Sequence, residues 1–395
     1  MSAGQEIKIQ KLKRRHFLGA ALVVTFVLLV IYESNVRAFT LWGDKLEDQG
    51  ERRQVVFAKV HKAASSTVQN VLLRFAMARE LDVLLPRKGN HINENGAQIN
   101  PGALISHQEG KPFDILCNHL VYNAEQIAAY IPRGAFTFGI LREPLSQALS
   151  ALQYYATFYL VKGSLMWHTL RRHGTDPVRG FLNHPEEFCD EKWKTDFCFV
   201  DNRMSMDLGF SSTGMYESKR DPTKIRNFIA SISRQFDLML MFEHFDESMV
   251  LLRRYLRWQI KDVLYIKVNV APPQGNNKWN RSRELSPTQR AIFQQWAAVD
   301  IALYNYFLAQ FLRKIESEDS FNDEVESFKQ IRSNVDAFCN STRGDSNQLL
   351  KVSQSRWTDE FSVTKSDCRA MTMSEDEIVQ TARSKQLARL ASLSR

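Results

Sequence analysis

The 395-residue sequence contains no Cys-x-x-Cys pair, so the common zinc-site spacings are excluded, and no acidic cluster of metal-ligand type is evident. It also lacks the GxxxxGK[ST] signature of ATP-type phosphate loops, which argues against a nucleotide kinase. No internal repeat is present. The net charge is +8, yet apart from Lys11–Arg15 the excess is dispersed and no long basic tract occurs. That distribution suits a small anionic ligand or an anionic surface and gives no footing for nucleic acid. There is one long apolar run. It spans Phe17–Tyr32, follows Lys11, Lys13, Arg14 and Arg15, and is ended by Glu33.

A basic flank before an apolar run keeps the N-terminus cytosolic and sends the rest of the chain to the lumen. The expectation is a type II signal anchor at 17–32, with a cytosolic tail at 1–16 and a polar stem at 33–53. The rival is a signal peptide cleaved after Val36-Arg37-Ala38. Two N-glycosylation acceptor sequences, at Asn280 and Asn340, agree with a lumenal address. So does the cysteine set. Cys189–Cys198 and Cys339–Cys368 are the local pairings in an oxidising compartment and would leave Cys117 free.

The globular domain is expected over 54–316, followed by a polar, peripheral extension at 317–395. Apolar strand-like runs at 55–57, 114–117, 135–141, 236–242 and 262–268 alternate with helical patterns, which predicts a parallel sheet with helices on both faces. Asp246 is expected to cap one helix, and a single long helix is expected from Pro287 to about Ile315.

The stretch VVFAKVHKAASSTVQNVLLRF at 55–75 organises the chemistry. A short strand runs into a turn of small and hydroxyl residues, which opens directly into an amphipathic helix. The first amides of that helix lack internal partners and the dipole is positive there, so the geometry binds an anion. Lys59, Lys62, Ser65, Ser66 and Thr67 line it, and phosphate or sulfate is the expected ligand. The bland alternative is a Ser-capped helix after a core strand. Arg142 follows a second strand, with Ser146 and Ser150 on the next helix, and suggests a second anion site; the alternative is an Arg paired with Glu143 or Glu243. Two such sites suit a nucleotide phosphorylated at two positions. His61 and His119, both at strand ends, are candidate bases, and spacing alone does not rank them.

Several collinear segments resemble the galactose 3-O-sulfotransferase family, which includes galactosylceramide sulfotransferase. They are the 55–75 loop, CNHLVYN at 117–123, FGILREPLSQALSAL at 138–152, MDLGF at 206–210, FEHFDESMVLLRRYLRW at 242–258 and LSPTQRAIFQQWAAVDIALYNYF at 285–307. The resemblance covers about 54–312. Ser65 stands where the family often has Gly, and the last 75 or so residues match poorly. It implies an α/β, P-loop-type sulfotransferase fold with an N-terminal transmembrane anchor in the Golgi membrane. It also implies 3′-phosphoadenosine 5′-phosphosulfate as donor without a metal, and a galactose-terminated glycolipid or glycan as acceptor. By position, Lys59, Lys62, Ser65, Ser66 and Thr67 would hold the 5′-phosphosulfate, and Arg142 and Ser150 the 3′-phosphate. Lys62 would steady the leaving nucleotide, and His61, rather than His119, is preferred as base for its place beside the lysines. A uronic-acid 2-O-sulfotransferase and an inactive carbohydrate-binding relative are the alternatives. Oligomeric state is open, a homodimer included.

Overall fold

The computed structural model describes residues 50–393 except 94–96, 109, 159–161, 163–164, 175, 190–197, 211–217, 268–283 and 342–347. The apolar run at 17–32, the tail, most of the stem and the sequon at Asn280 lie outside the described residues. Among those described, no helix is long and apolar enough to cross a membrane.

From Arg52 onward the chain forms one compact unit. Its strands are β1 (Val55–Ala58), β2 (His91–Asn93), β3 (Ile115–Leu116), β4 (His119–Leu120), β5 (Phe136–Leu141), β6 (Leu238–Met241), β7 (Leu349–Val352) and β8 (Phe361–Thr364). The central sheet has the order β3-β1-β5-β6 and all of its pairs are parallel. Every residue of β1 and β6 is buried, the mark of strands covered on both faces. Because the strands run in one direction, their carboxyl ends share one edge. The 59–64 turn, Asn118–His119, Arg142 and Glu243 all leave from that edge, where open parallel sheets place ligands.

The helices are α1 (Ser65–Ala78), α2 (Ala124–Ile127), α3 (Pro144–Phe158), α4 (Leu165–Arg172), α5 (Pro177–Asn183), α6 (Arg203–Asp207), α7 (Pro222–Gln235), α8 (Phe245–Leu256), α9 (Ile260–Val263), α10 (Pro287–Trp296), α11 (Ala298–Ser317), α12 (Phe321–Asn340), α13 (Lys365–Thr372) and α14 (Glu375–Leu393). Cys189–Cys198 and Cys339–Cys368 are disulfides, and Cys117 is free and buried. Burial pushes the Cys117 thiol up to about 12, so it is inert packing.

Four expectations are corrected. The 262–268 run is not a strand over its described part. Asp262 accepts from the Gln259 amide at 3.0 Å and so caps the turn α9, and Leu264–Ile266 continue as buried, unpaired chain. The long helix is two, because Asn202 Oδ1 accepts from the amides of Val299 and Asp300 at 2.9 Å each and caps a fresh start after Trp296. Asp246 caps no helix; it lies inside the first turn of α8 and accepts from the Tyr265 hydroxyl at 2.7 Å.

The polar 317–393 segment is not peripheral either. Phe328 and Val335 of α12 and Ile378, Val379 and Ala382 of α14 belong to the main core. Helix α14 packs along α1, and the polar Gln69 and Asn70 of α1 are buried, Gln69 Nε2 donating to Asn90 Oδ1 and Asn70 Nδ2 to Ala370 O of α13, each at 2.9 Å. Polar residues of α14 satisfy loop backbone groups there: Arg383 Nε donates to Pro86 O at 2.9 Å, and Gln386 Oε1 accepts from Val83 N at 2.9 Å.

Candidate functional site

The turn after β1 folds without glycine, and it carries strain for that. Lys62 and Ala64 adopt left-handed backbone at φ 59° and 60°. For residues with a Cβ, each such position costs about 1–2 kcal/mol and persists only where the surroundings enforce it. The enforcing contacts are visible. Gln147 Nε2 of α3 donates to His61 O at 3.1 Å, and Arg142 Nη1 donates to Lys62 O at 3.1 Å. The Ser65 hydroxyl donates to Val60 O at 2.5 Å. The turn is thus clasped from the end of β5 and the helix that follows it, and by the first residue of its own helix.

Lys59 is the cation at its centre. Its side chain has no exposure, and Nζ lies 3.4 Å from Ser65 Oγ and 3.3 Å from Ser66 Oγ. Lys62 points elsewhere: its ammonium lies 3.6 Å from the centre of the Tyr154 ring on α3, a cation–π seat. Thr67 stands in the first turn of α1, its amide bonded to Ala64 O at 3.0 Å.

His61 and His119 are brought together. Their rings stack at 4.1 Å between centroids, and His91 stacks on the far side of His119 at 4.9 Å. Each is held differently. Asp207, at the end of α6, accepts from the His61 amide at 2.8 Å and meets Nδ1 at 2.8 Å. Asp207 in turn pairs with Arg203 Nη2 at 2.8 Å, and both side chains are buried. His119 Nε2 lies 3.5 Å from Glu375, while its buried Nδ1 has no hydrogen-bond partner among the described residues.

Burial lowers the pKa of both histidines. For His61, Asp207 opposes that shift and Arg203 adds to it; for His119, Lys59 and His61 add to it. Both are therefore neutral imidazoles at neutral pH, able to accept a proton. Burial would raise the Asp207 carboxyl, but Arg203 and His61 outweigh it and hold the carboxyl below the usual range. Two groups meet His61 Nδ1: Asp207 at 2.8 Å, which accepts, and Arg203 Nη2 at 3.3 Å, which donates; the shorter contact to the ionised carboxylate favours the tautomer with its proton on Nδ1 and its lone pair on Nε2.

At the second strand end the Arg142 guanidinium lies 4.2 Å from the centre of the Phe242 ring. Glu143 caps α3, accepting from the amides of Leu145 at 3.0 Å and Ser146 at 2.7 Å. Glu243 accepts from Glu143 N at 2.7 Å and the Tyr304 hydroxyl at 3.1 Å. Ser150 is half-buried on α3 and makes no side-chain hydrogen bond among the described residues. Arg142 therefore joins the loop directly through Lys62, and Ser150 makes no hydrogen bond to either among the described residues. Among the described residues no group of three or more His, Cys, Asp or Glu could hold a metal ion.

The end of the first strand thus carries a lysine-and-hydroxyl cradle with a carboxylate-held histidine beside it. The model of the galactose-3-O-sulfotransferase family matches residues 2–357. The chain belongs to that family. Galactose-3-O-sulfotransferase 2 of Homo sapiens is 31% identical over 296 residues, covering 72% of this chain and 67% of its own. Galactosylceramide sulfotransferase of Mus musculus is 30% identical over 298 residues, covering 73% and 64%. The chain therefore spans about two thirds of the length of these two relatives. Galactose-3-O-sulfotransferase 3 of Bos taurus is 29% identical over 361 residues, covering 88% and 79%. Among solved structures, a sulfotransferase from Alicyclobacillus acidocaldarius matches 65% of this chain and 96% of its own, at 14% identity and a TM-score of 0.30, a slight likeness.

Sequence reasoning found Lys59, His61, Ser65, Ser66, His119 and Arg142, and these converge. It assigned no role to Asp207, Arg203, Asn90, Tyr154 or Glu375. Asp207 lay within MDLGF, so the family segment could have flagged it; Glu375 lies beyond the matched span and carried no signal.

Proposed function

We propose that this protein transfers a sulfuryl group from 3′-phosphoadenosine 5′-phosphosulfate to the 3-hydroxyl of a terminal β-galactose on a glycolipid or glycan. It would do so on the lumenal side of the Golgi membrane, anchored through 17–32. Family membership supports a sulfotransferase acting on a galactose-bearing acceptor. The observation that carries the mechanism is the Asp207–His61 pair beside the Lys59–Ser65–Ser66 cradle.

In this reading the cradle and the first amides of α1 hold the 5′-phosphosulfate, with Thr67 at the same helix end. Arg142 reaches the 3′-phosphate, and Ser150 serves there only if nucleotide binding draws it in. His61 Nε2 takes the proton from the galactose 3-hydroxyl as that oxygen attacks sulfur, and Asp207 steadies the imidazolium that forms. The bond between sulfur and the bridging oxygen breaks, and the adenosine bisphosphate leaves with its charge met by Lys59, and by Lys62 once its ammonium swings from the Tyr154 ring toward the cradle. His119, stacked on His61, shapes the acceptor side. Sulfuryl transfer of this kind needs positioning and charge neutralisation rather than covalent help.

The test is transfer of labelled sulfate to galactosylceramide, lactosylceramide, N-acetyllactosamine glycans, core 1 glycans and desulfated heparan, with product linkage mapped. Sulfate on the galactose 3-position is the expected result. Sulfate on uronate alone would refute the reading.

A further inference from the structure

The first residue of α14 brings a carboxylate into the anion cradle. Glu375 Oε2 accepts from Lys59 Nζ at 3.2 Å and from the Ser66 hydroxyl. Its Oε1 accepts from Asn90 Nδ2 and lies 3.5 Å from His119 Nε2. Three of these four partners are residues that the anion-site reading assigns to the donor loop or its candidate bases. Burial would raise the Glu375 carboxyl, but Lys59, His119 and Ser66 outweigh it, so the group is ionised.

An enclosed ammonium needs a counter-charge, and Glu375 supplies one to Lys59. A phosphoryl or sulfuryl oxygen arriving at the same ammonium and the same hydroxyl finds a negative oxygen already there. Two anions at one cation in a partly desolvated cradle repel, so one must leave. Exposure decides which group can move. The Lys59 side chain is wholly enclosed, whereas that of Glu375 is 27% exposed and can turn toward water. Glu375 also lies outside the 2–357 span matched by the family, on a segment whose packing against α1 fixes where its first turn falls.

We propose that Glu375 is a resident competitor in the donor cradle: its carboxylate holds Lys59 and Ser66 until the 5′-phosphosulfate of the donor displaces it, and it thereby sets donor affinity. This rests on the donor reading above, and the experiment separates the two. Wild type and Glu375→Gln are titrated calorimetrically with adenosine 3′,5′-bisphosphate and with adenosine 3′-monophosphate, which lacks the 5′ group. The variant should bind the bisphosphate about tenfold or more tightly than wild type, because a like charge has been removed from the cradle. Affinity for the 3′-monophosphate should be the same for both proteins. Equal or weaker bisphosphate binding by a folded variant overturns the competitor role alone. No bisphosphate binding by either protein refutes the donor reading, and the inference falls with it. Should the variant not fold, hydrogen exchange on wild type decides. Bisphosphate should slow exchange over 59–67 and speed it over 373–379; protection of both segments overturns the proposal.

Discussion

Replacing Asp207 by Asn tests the acid–base arrangement through two readouts that a structural role alone would not couple. The Asp207 carboxylate is 3% exposed and contacts His61 Nδ1, the His61 amide and Arg203 Nη2, each at 2.8 Å. The substitution leaves the buried Arg203 without its counter-charge, which costs about 3–5 kcal/mol of stability. It also offers His61 an amide that can donate to Nδ1 and so favour the wrong tautomer. Losing the orientation and charge of a general base costs about 10²–10⁴ in rate. The sign of the pH effect follows from the electrostatics. Asp207 raises the His61 pKa against burial and Arg203, so its removal lowers that pKa further. The assay is kcat and kcat/KM over roughly pH 5–8, with bisphosphate affinity and thermal unfolding measured in parallel. The expected result is a lower plateau, an acidic limb moved to lower pH, and bisphosphate affinity within about twofold of wild type, since Asp207 is not placed on the donor. A plateau equal to wild type, or a limb moved to higher pH, would refute the reasoning.

Lys62→Ala should lower kcat by at least about 100-fold, as expected for one donor that meets transition-state charge, and near-normal turnover would remove Lys62 from that role. Because burial holds both histidines below pKa 6.5, the wild-type rate should be full above pH 6.5 and lost as pH falls through the lowered value; a limb above 6.5 in kcat/KM would contradict this. Gly209 sits at φ +91°, and a Cβ there would lie 2.5 Å from Tyr122 O. Gly209→Ala should therefore cost about 1–3 kcal/mol in chemical denaturation, and an unchanged midpoint would show that the turn can relax. Removing the Cys339–Cys368 bond, which closes a 29-residue separation, should cost about 3–4 kcal/mol of stability on the chain-entropy estimate, measured on the double Ala variant under oxidising conditions.

What the sequence made legible is what local pattern encodes. The apolar strand, hydroxyl turn and amphipathic helix at 55–75 are where the sequence places them and carry the proposed anion site, and the alternation of strands and helices put His119, Arg142 and Glu243 on the same sheet edge. The omissions share one physical cause. Asp207 meets His61 across 146 residues, and Glu375 meets Lys59 across 316, so nothing in either neighbourhood marks the pairing. The extension beyond Ser317 reads as polar because its buried Arg383 and Gln386 are paid for by loop carbonyls, and composition cannot distinguish such residues from solvated ones. The 262–268 run misled for the opposite reason. Val263 to Ile266 are buried as expected, but as core chain rather than as a paired strand.

The central claim is that His61, oriented by Asp207 beside the Lys59 cradle, removes the proton from the acceptor sugar. The measurement that bears on it most directly is turnover of His61→Ala and His119→Ala side by side, with labelled donor and a galactose-terminated acceptor, and with bisphosphate binding checked for each. The account expects His61→Ala to bind the bisphosphate yet lose at least about 100-fold in kcat, and His119→Ala to lose less. Wild-type turnover by His61→Ala would contradict it.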